Sequence, residues 1–317
     1  MRNAQVFAKK RSNQKSFLLA MSKSVPYRDK SRPKIAVVLS TCQRSEVLAG
    51  TLASLARQTL KPDQVIISAT SPSDLPALPS TMPEIQTVFG SVGLCFQRNR
   101  ARTYLHEGVQ LVFFLDDDVE LARDYLEQMI RVFHKHPEVG LLGGNVIAEG
   151  VTRTEAIQIL AVVQPQNCDA LHPVRSLYGC NMCVRTDIFL SVDFDENLRL
   201  MCWLEDFDWS VRAGMYGTTM YNSAALTVHL KVASGRVSGY RFGYAQVLNP
   251  FYLYRKGIIT TIWEVLERHW IRLLISNLSR FILRDKKIDR IGRLRGNLRA
   301  FIDIACGRID PRRVELL

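Results

Sequence analysis

The chain of 317 residues has little uninterrupted hydrophobicity. A helix crossing a bilayer core needs about 20 consecutive apolar residues. The apolar patch at 17–21 is far too short, and the apolar pattern after Gly257 is broken by charge too often, so neither predicts a transmembrane span. Cysteine is scarce as well. The seven cysteines are odd in number and scattered, with no secretory signal ahead of them, which points to a reduced, cytoplasmic protein rather than a disulfide framework. Cys180 and Cys183 have C-x-x-C spacing, but no second pair or adjacent histidine completes a zinc site. No internal repeat is visible at solenoid period, which excludes a repeat array.

What is present is an ordinary folded composition, 47% hydrophobic and 23% charged, long enough for one large domain with additions or for two domains. The net charge of +12 is unevenly placed. Residues 1–34 hold ten Lys or Arg against one acid, residues 255–317 hold fifteen against seven, and the stretch between holds 17 basic against 22 acidic residues. A mildly acidic body with basic ends suits termini that meet an anionic surface, such as a membrane, better than a nucleic-acid groove in the core. Residues 1–34, rich in Lys, Arg, Ser and Asn, read as a flexible extension.

Along the chain, apolar runs at 35–39, 64–68 and 85–89 read as strands, and Leu48, Leu52, Leu55 and Ala56 fall at helical spacing between the first two. A β-α-β unit results, so the fold class is α/β. Residues 97–102, Q-R-N-R-A-R, open a helix running to about His106; Arg98, Arg100 and Arg102 there suit either a phosphate cradle or an exposed basic face. Residues 125–134 form an amphipathic helix and 139–147 return to the sheet, whereas 155–163 fits strand or helix equally. Gly179 and Asn181 would permit a backbone bend against a ligand, or a tight turn between core strands.

The run that organises the rest is L-V-F-F-L-D-D-D-V-E at 111–120. It reads as a buried strand with Asp116, Asp117 and Asp118 at its C-terminal end, the lip of an α/β sheet where ligands bind. Three adjacent carboxylates require positive compensation, and a hard divalent cation such as Mg²⁺ or Mn²⁺ would supply it while gripping phosphate oxygens. A second acidic group follows: Asp193, Asp195 and Glu196, then Glu205, Asp206 and Asp208 in the first turn of a helix. Glu205 or Asp206 could serve as a general base in a cleft, or simply cap the helix. His229, after an apolar strand at 224–228, is a structural histidine or a further ligand to the same cation.

In this order the pieces resemble the family-two inverting glycosyltransferases of GT-A fold: S-T-C-Q-R after the first strand, R-N before the acidic strand, F-L-D-D-D-V, G-C-N-M-C-V-R, F-D-E-N-L and W-L-E-D-F-D-W-S-V-R. The likeness covers about residues 35–245. It implies a Rossmann-like mixed sheet flanked by helices, a nucleotide-diphosphate sugar donor and a glycan or lipid-linked acceptor. Ser40, Thr41, Cys42, Arg44 and Ser68 match positions that bind the donor base, and Arg98, Asn99, Asp116 and Asp117 match further donor-binding positions. Asp118, with Asp116 and His229, matches metal ligands. Asp206 or Glu205 matches the catalytic base, and Asn181 and Trp203 fall on the sugar or acceptor side. Cys42 stands where many members carry Tyr, and Ser68-Ala69 where an Asp commonly reads the base, so uracil is not specified. The Q-x-x-R-W motif of processive synthases is missing, which favours single addition.

Three segments follow: an extension at 1–34, a catalytic domain at 35–245 and a basic helical region at 246–317. From Gly257 onward the pattern is that of a basic amphipathic helix, which would lie on an anionic inner leaflet or pack on the catalytic domain. Two other function classes compete with the transferase. An Asp-dependent phosphotransferase needs a free nucleophilic aspartate with a hydroxyl residue soon after, and Val119-Glu120 follow here. A non-catalytic sugar-nucleotide-binding relative docked on a membrane would not need both acidic clusters.

Overall fold

The computed structural model describes residues 32–78, 84–163, 171–200, 203–234, 237–282 and 289–317. Most of the N-terminal extension, including the patch at 17–21, lies outside them. Among the described residues nine strands form one sheet: β1 Lys34–Ser40, β2 Gln64–Ala69, β3 Ile85–Phe89, β4 Val109–Asp116, β5 Val119–Leu121, β6 Val139–Glu149, β7 Leu171–Pro173, β8 Asn181–Arg185 and β9 Thr218–His229. The order is β3-β2-β1-β4-β8-β6-β9-β5, with β7 paired to β9. β1 to β4 are parallel neighbours, whereas β8 runs antiparallel to both β4 and β6. The expected α/β mixed sheet is therefore present.

The period-two alternation of β1 and β4 divides the core. Ile35, Val37, Leu39, Leu111, Phe113 and Leu115 face one side, under α1 (Ser45–Ala56) and α3 (Tyr125–Lys135). Ala36, Val38, Val112 and Phe114 face the other, against α2 (Leu94–Ala101), α5 (Thr186–Ser191) and α6 (Glu205–Ala213). Both faces being covered explains why these strands read as continuous apolar runs. Trp209 of α6 is fully buried, stacked on Phe194 with ring centroids 4.6 Å apart and donating its indole N–H to Val192 O. This anchor fixes the helix whose first turn carries Glu205 and Asp206.

Two segments differ from expectation or were open. Residues 155–163 are mostly helical, in α4 (Arg153–Val162), which begins at a Thr152–Glu155 capping box. The helical C-terminal region begins before Gly257: α7 spans Gly239–Lys256, and Gly257, at φ 82°, ends it. The signal was hidden by an aromatic-rich sequence with Pro250 inside the helix. Position 245/246, taken as a domain boundary from the sequence, falls within α7.

After α7 come α8 (Ile262–Glu264), a π-helical stretch Val265–Ile271, α9 (Arg272–Ile282) and α10 (Arg290–Ala305). Leu253, Ile259 and Val265 join the core under α6, so this part of the C-terminal region packs on the sheet domain. α7 and α10 meet through glycines. A Cβ on Gly243 would lie 2.6 Å from Arg293 Cα, and one on Gly296 2.7 Å from Tyr244 N, so the backbones touch. Buried Asp303 accepts from Tyr244 and Arg313 at the same interface. No helix among the described residues is long and apolar enough to cross a membrane.

Candidate active site

β1 and β4 end in register, Ser40 beside Asp116, which places the aspartate run at the C-terminal lip of the parallel strands. The three aspartates then diverge. Asp117 turns inward: its oxygens accept from Thr41 Oγ1 at 2.8 Å and Arg44 Nη1 at 2.6 Å. Arg44 also donates to Asp118 Oδ2 (3.2 Å) and Val232 O (2.6 Å), and is itself buried. Thus Asp117, Thr41 and Arg44, all assigned to donor contact from the sequence, form a buried clamp tying the β1–α1 turn to the acidic lip. The reason is charge: a run of three carboxylates is tolerable because a guanidinium is folded beneath it. Asp117, with both oxygens engaged, is also unsuited to be a free nucleophile.

Asp116 and Asp118 face the cleft side, and β9 brings His229 to them. β9 pairs in parallel with β6, but the register jumps from Gly144↔Asn222 to Asn145↔Leu226, so three residues of β9 bulge out. Asn145 closes the bulge by donating to Ser223 O, and Asn222 Oδ1 accepts from Ala224 N. Gly144 is required there, since a Cβ would lie 2.6 Å from the Tyr125 ring. Past the bulge β9 stays paired with β6 and gains β5 on its other edge, which sets His229 beside Val119. His229 Nε2 thereby lies 3.1 Å from Asp118 Oδ1 and 3.8 Å from Asp116 Oδ2. The three residues offer ligand atoms all within 4.8 Å of one another, a two-oxygen, one-nitrogen set suited to a divalent cation such as Mn²⁺. Burial works to raise the Asp118 carboxyl, but His229, Arg44 and the Val232 N–H hold it below its ordinary value. Burial opposes charge on His229, yet Asp118 and Asp116 raise its pKa.

The second acidic cluster sorts in the same way. Asp193 is held by Arg102, Asp195 by Lys256 and Tyr252, Glu196 by Asn99, and Asp208 by Arg212 and Lys256. These four are structural ties. Glu205 and Asp206 remain, projecting from the N-terminus of α6. Asp206 Oδ2 accepts the Gly179 N–H at 2.9 Å, and Gly179 cannot carry a side chain cheaply, because a Cβ would meet Asp206 Cβ at 3.1 Å. Burial, then the Asp206 charge, pushes Glu205 up to about 8, and burial raises Asp206 too.

Arg98 joins the two clusters. Its Nη2 donates to Gly179 O at 2.8 Å and lies 3.4 Å from Asp116 Oδ1, and its Nη1 is 3.8 Å from Glu205 Oε1. The guanidinium is buried beside the Phe114 and Phe194 rings, with Nη1 lacking a hydrogen-bond partner. Neither sequence reading of the three arginines holds as a set. Arg98 sits between the acids, while Arg100 binds Ser68 Oγ, Ala69 O and Ser91 O, and Arg102 binds Asp193 and the Phe189 and Val192 carbonyls.

The remaining candidates divide between surface and interior. Cys42 is part-exposed beside Thr70. Ser68 is fully buried under Arg100, and Asn99 stitches α2 to Phe194 and Glu196 rather than facing the lip. Ser40 Oγ, both Asn181 side-chain polar atoms and the Trp203 indole N–H are buried without hydrogen-bond partners, and Trp203 packs edge-on against Phe242. Sequence reasoning missed four contributors. Gln97 bridges Thr41 O and Ser68 O across the strand ends. Buried Asp74 gathers the Gln43, Thr70 and Ser71 N–H groups, a role signalled by S-x-x-D at 71–74. Tyr178 and Glu149 surround His229 Nδ1, at 3.1 and 3.7 Å, with no sequence signal beyond proximity to motifs.

A parallel half-sheet with acids on its lip, a triad able to hold a metal ion and a paired carboxylate helix terminus are features of the GT-A class of folds. Residues 36–189 of the chain match the profile described as Glycosyl transferase family 2. Over 183 residues it is 25% identical to the glucosyl-dolichyl phosphate glucuronosyltransferase of Haloferax volcanii, covering 52% of this chain and 56% of that protein. Its fold is similar to the crystal structure of GalNAc-T7 with UDP, GalNAc and Mn²⁺, at a TM-score of 0.51 and 11% identity, over 81% of this chain and 58% of that one. The chain thus spans just over half the length of both.

Proposed function

We propose that the chain transfers a single sugar from a nucleoside-diphosphate donor to an acceptor hydroxyl, with inversion and with a divalent metal, Mn²⁺ or Mg²⁺. The observation that carries this reading is the line Asp116, Arg98, Glu205: the metal-ligand lip and the carboxylate pair share one buried guanidinium at 3.4 and 3.8 Å. Two ends of one reacting molecule could be gripped across that span.

Asp206, largely buried and held by the Gly179 N–H, is placed to take the acceptor proton as the hydroxyl attacks the anomeric carbon. Glu205, buried and pushed toward neutrality, keeps the pair from carrying two charges and lets Asp206 be the ionised member. Arg98 offers an unengaged N–H to developing negative charge while holding the loop that positions Asp206. Asp116, Asp118 and His229 would hold the cation, which when bound supplies charge stabilisation to the leaving diphosphate.

The acceptor reading is glycan or lipid-linked, in cell-envelope or glycolipid synthesis, because the Haloferax relative is named for a dolichyl phosphate substrate. A peripheral membrane position on the cytoplasmic side is supported by exposed Trp263, Ile271 and Ile275 on the α8–α9 stretch, interleaved with exposed Arg268 and Arg272. Incubation with a panel of nucleoside-diphosphate sugars and Mn²⁺ tests the proposal. Asp118→Ala should abolish metal-dependent turnover, and Asp206→Asn should lower transfer at least about 10²-fold while leaving donor binding within a few-fold. Full activity in both variants would refute it.

A further inference from the structure

Beyond its ligand atom, His229 is held by groups that the transfer reaction does not otherwise use. Tyr178 Oη lies 3.1 Å from His229 Nδ1 and 3.1 Å from Glu149 Oε1, and Glu149 Oε2 receives Lys231 Nζ at 2.5 Å. The ring of Tyr178 stands edge-on to the imidazole, with centroids 5.7 Å apart.

The direction of these hydrogen bonds follows from counting protons. A carboxylate paired with an ammonium only accepts. The one phenolic proton of Tyr178 therefore goes to Glu149, and Tyr178 oxygen can only accept from the imidazole. That requires a proton on Nδ1, and a neutral ring with its proton on Nδ1 has its lone pair on Nε2, the atom facing Asp118 and Asp116.

We propose that Tyr178 and Glu149 are positioning residues that lock His229 in the Nδ1–H tautomer, so that Nε2 is presented as the nitrogen ligand of the divalent cation. This rests on the metal-ligand reading of Asp116, Asp118 and His229. Tyr178→Phe removes the acceptor for Nδ1–H. Glu149→Gln reverses the chain: the amide donates to Tyr178 oxygen, the phenol donates to Nδ1, and the ring proton moves to Nε2.

The test uses the full chain and Mn²⁺ alone, with affinity read by electron paramagnetic resonance of free Mn²⁺ and folding checked by thermal melting. Tyr178→Phe and Glu149→Gln are expected to weaken Mn²⁺ binding about tenfold or more. With Mg²⁺ bound and histidine labelled with ¹⁵N, the wild type should show Nδ1 protonated and Nε2 unprotonated, and Glu149→Gln should lose this pattern. Wild-type affinity in both variants, with Asp118→Ala and His229→Ala losing Mn²⁺, would overturn the tautomer lock and leave the metal centre standing. Undiminished Mn²⁺ binding in Asp118→Ala and His229→Ala would overturn both.

Discussion

Glu205 is the residue at which burial and chemistry conflict most openly. Its carboxyl, 7% exposed and beside Asp206, titrates near 8 in the folded protein against 4.5 for the free group. A pKa raised on folding stabilises below the unfolded value, and that stability is lost as pH rises through the folded one. The metal-free protein should therefore lose stability from this site between about pH 4.5 and pH 8. Glu205→Gln, which mimics the protonated form, should match wild-type stability at pH 5 and exceed it at pH 8.5, by an amount on the order of a few kcal/mol. Thermal melts of both proteins across that range check this; a constant difference would show that the Glu205 proton is not taken up on folding. The aspartate lip and the E-D pair were legible in the sequence because the acids cluster directly after an apolar strand and at the start of a helix. Which of them face the cleft was not. Asp117 and Asp208 look like their neighbours in sequence, and the remote partners Arg44 and Lys256 decide that they are ties.

At the scale of elements, the α7–α10 pair shows packing overriding propensity. Alanine for glycine inside a helix ordinarily gains about 1 kcal/mol, whereas overpacking costs about 1–3 kcal/mol. At Gly243 and Gly296 the atoms met are backbone and cannot rotate away, so the loss should win. Gly243→Ala and Gly296→Ala should each lower the melting temperature, by several degrees, as calorimetry would show; a gain in either would mean the helices separate freely. The parallel strands were readable because both faces are buried and the runs are unbroken. Helix α7 was not, since Pro250 and its glycines mimic loop composition, and the use of Gly243 shows only in its contact with α10. The bulge of β9 was equally hidden, because small residues at 223–225 carry no mark of one.

For the whole molecule, the division suggested by composition does not coincide with the division of the core. Leu253, Ile259 and Val265 cover the face under α6, and Lys256 bridges Asp195 and Asp208, so residues beyond 245 complete the body that carries the carboxylate pair. A chain ended at residue 245 should fail to reach the native fold, appearing aggregated in size-exclusion chromatography and lacking a cooperative melt. A soluble, cooperatively melting fragment would restore the boundary proposed from sequence.

The long ninth strand has an evolutionary and engineering corollary. Between the point where it leaves Asn222 and the point where it delivers His229, its length acts as a ruler whose tally outweighs its lettering. Ala224 and Ala225 are buried and leave room for small side chains alone, and deleting a single residue from the paired stretch 226–228 would roll the imidazole to the opposite face of the sheet and disarm the lip without touching one acid.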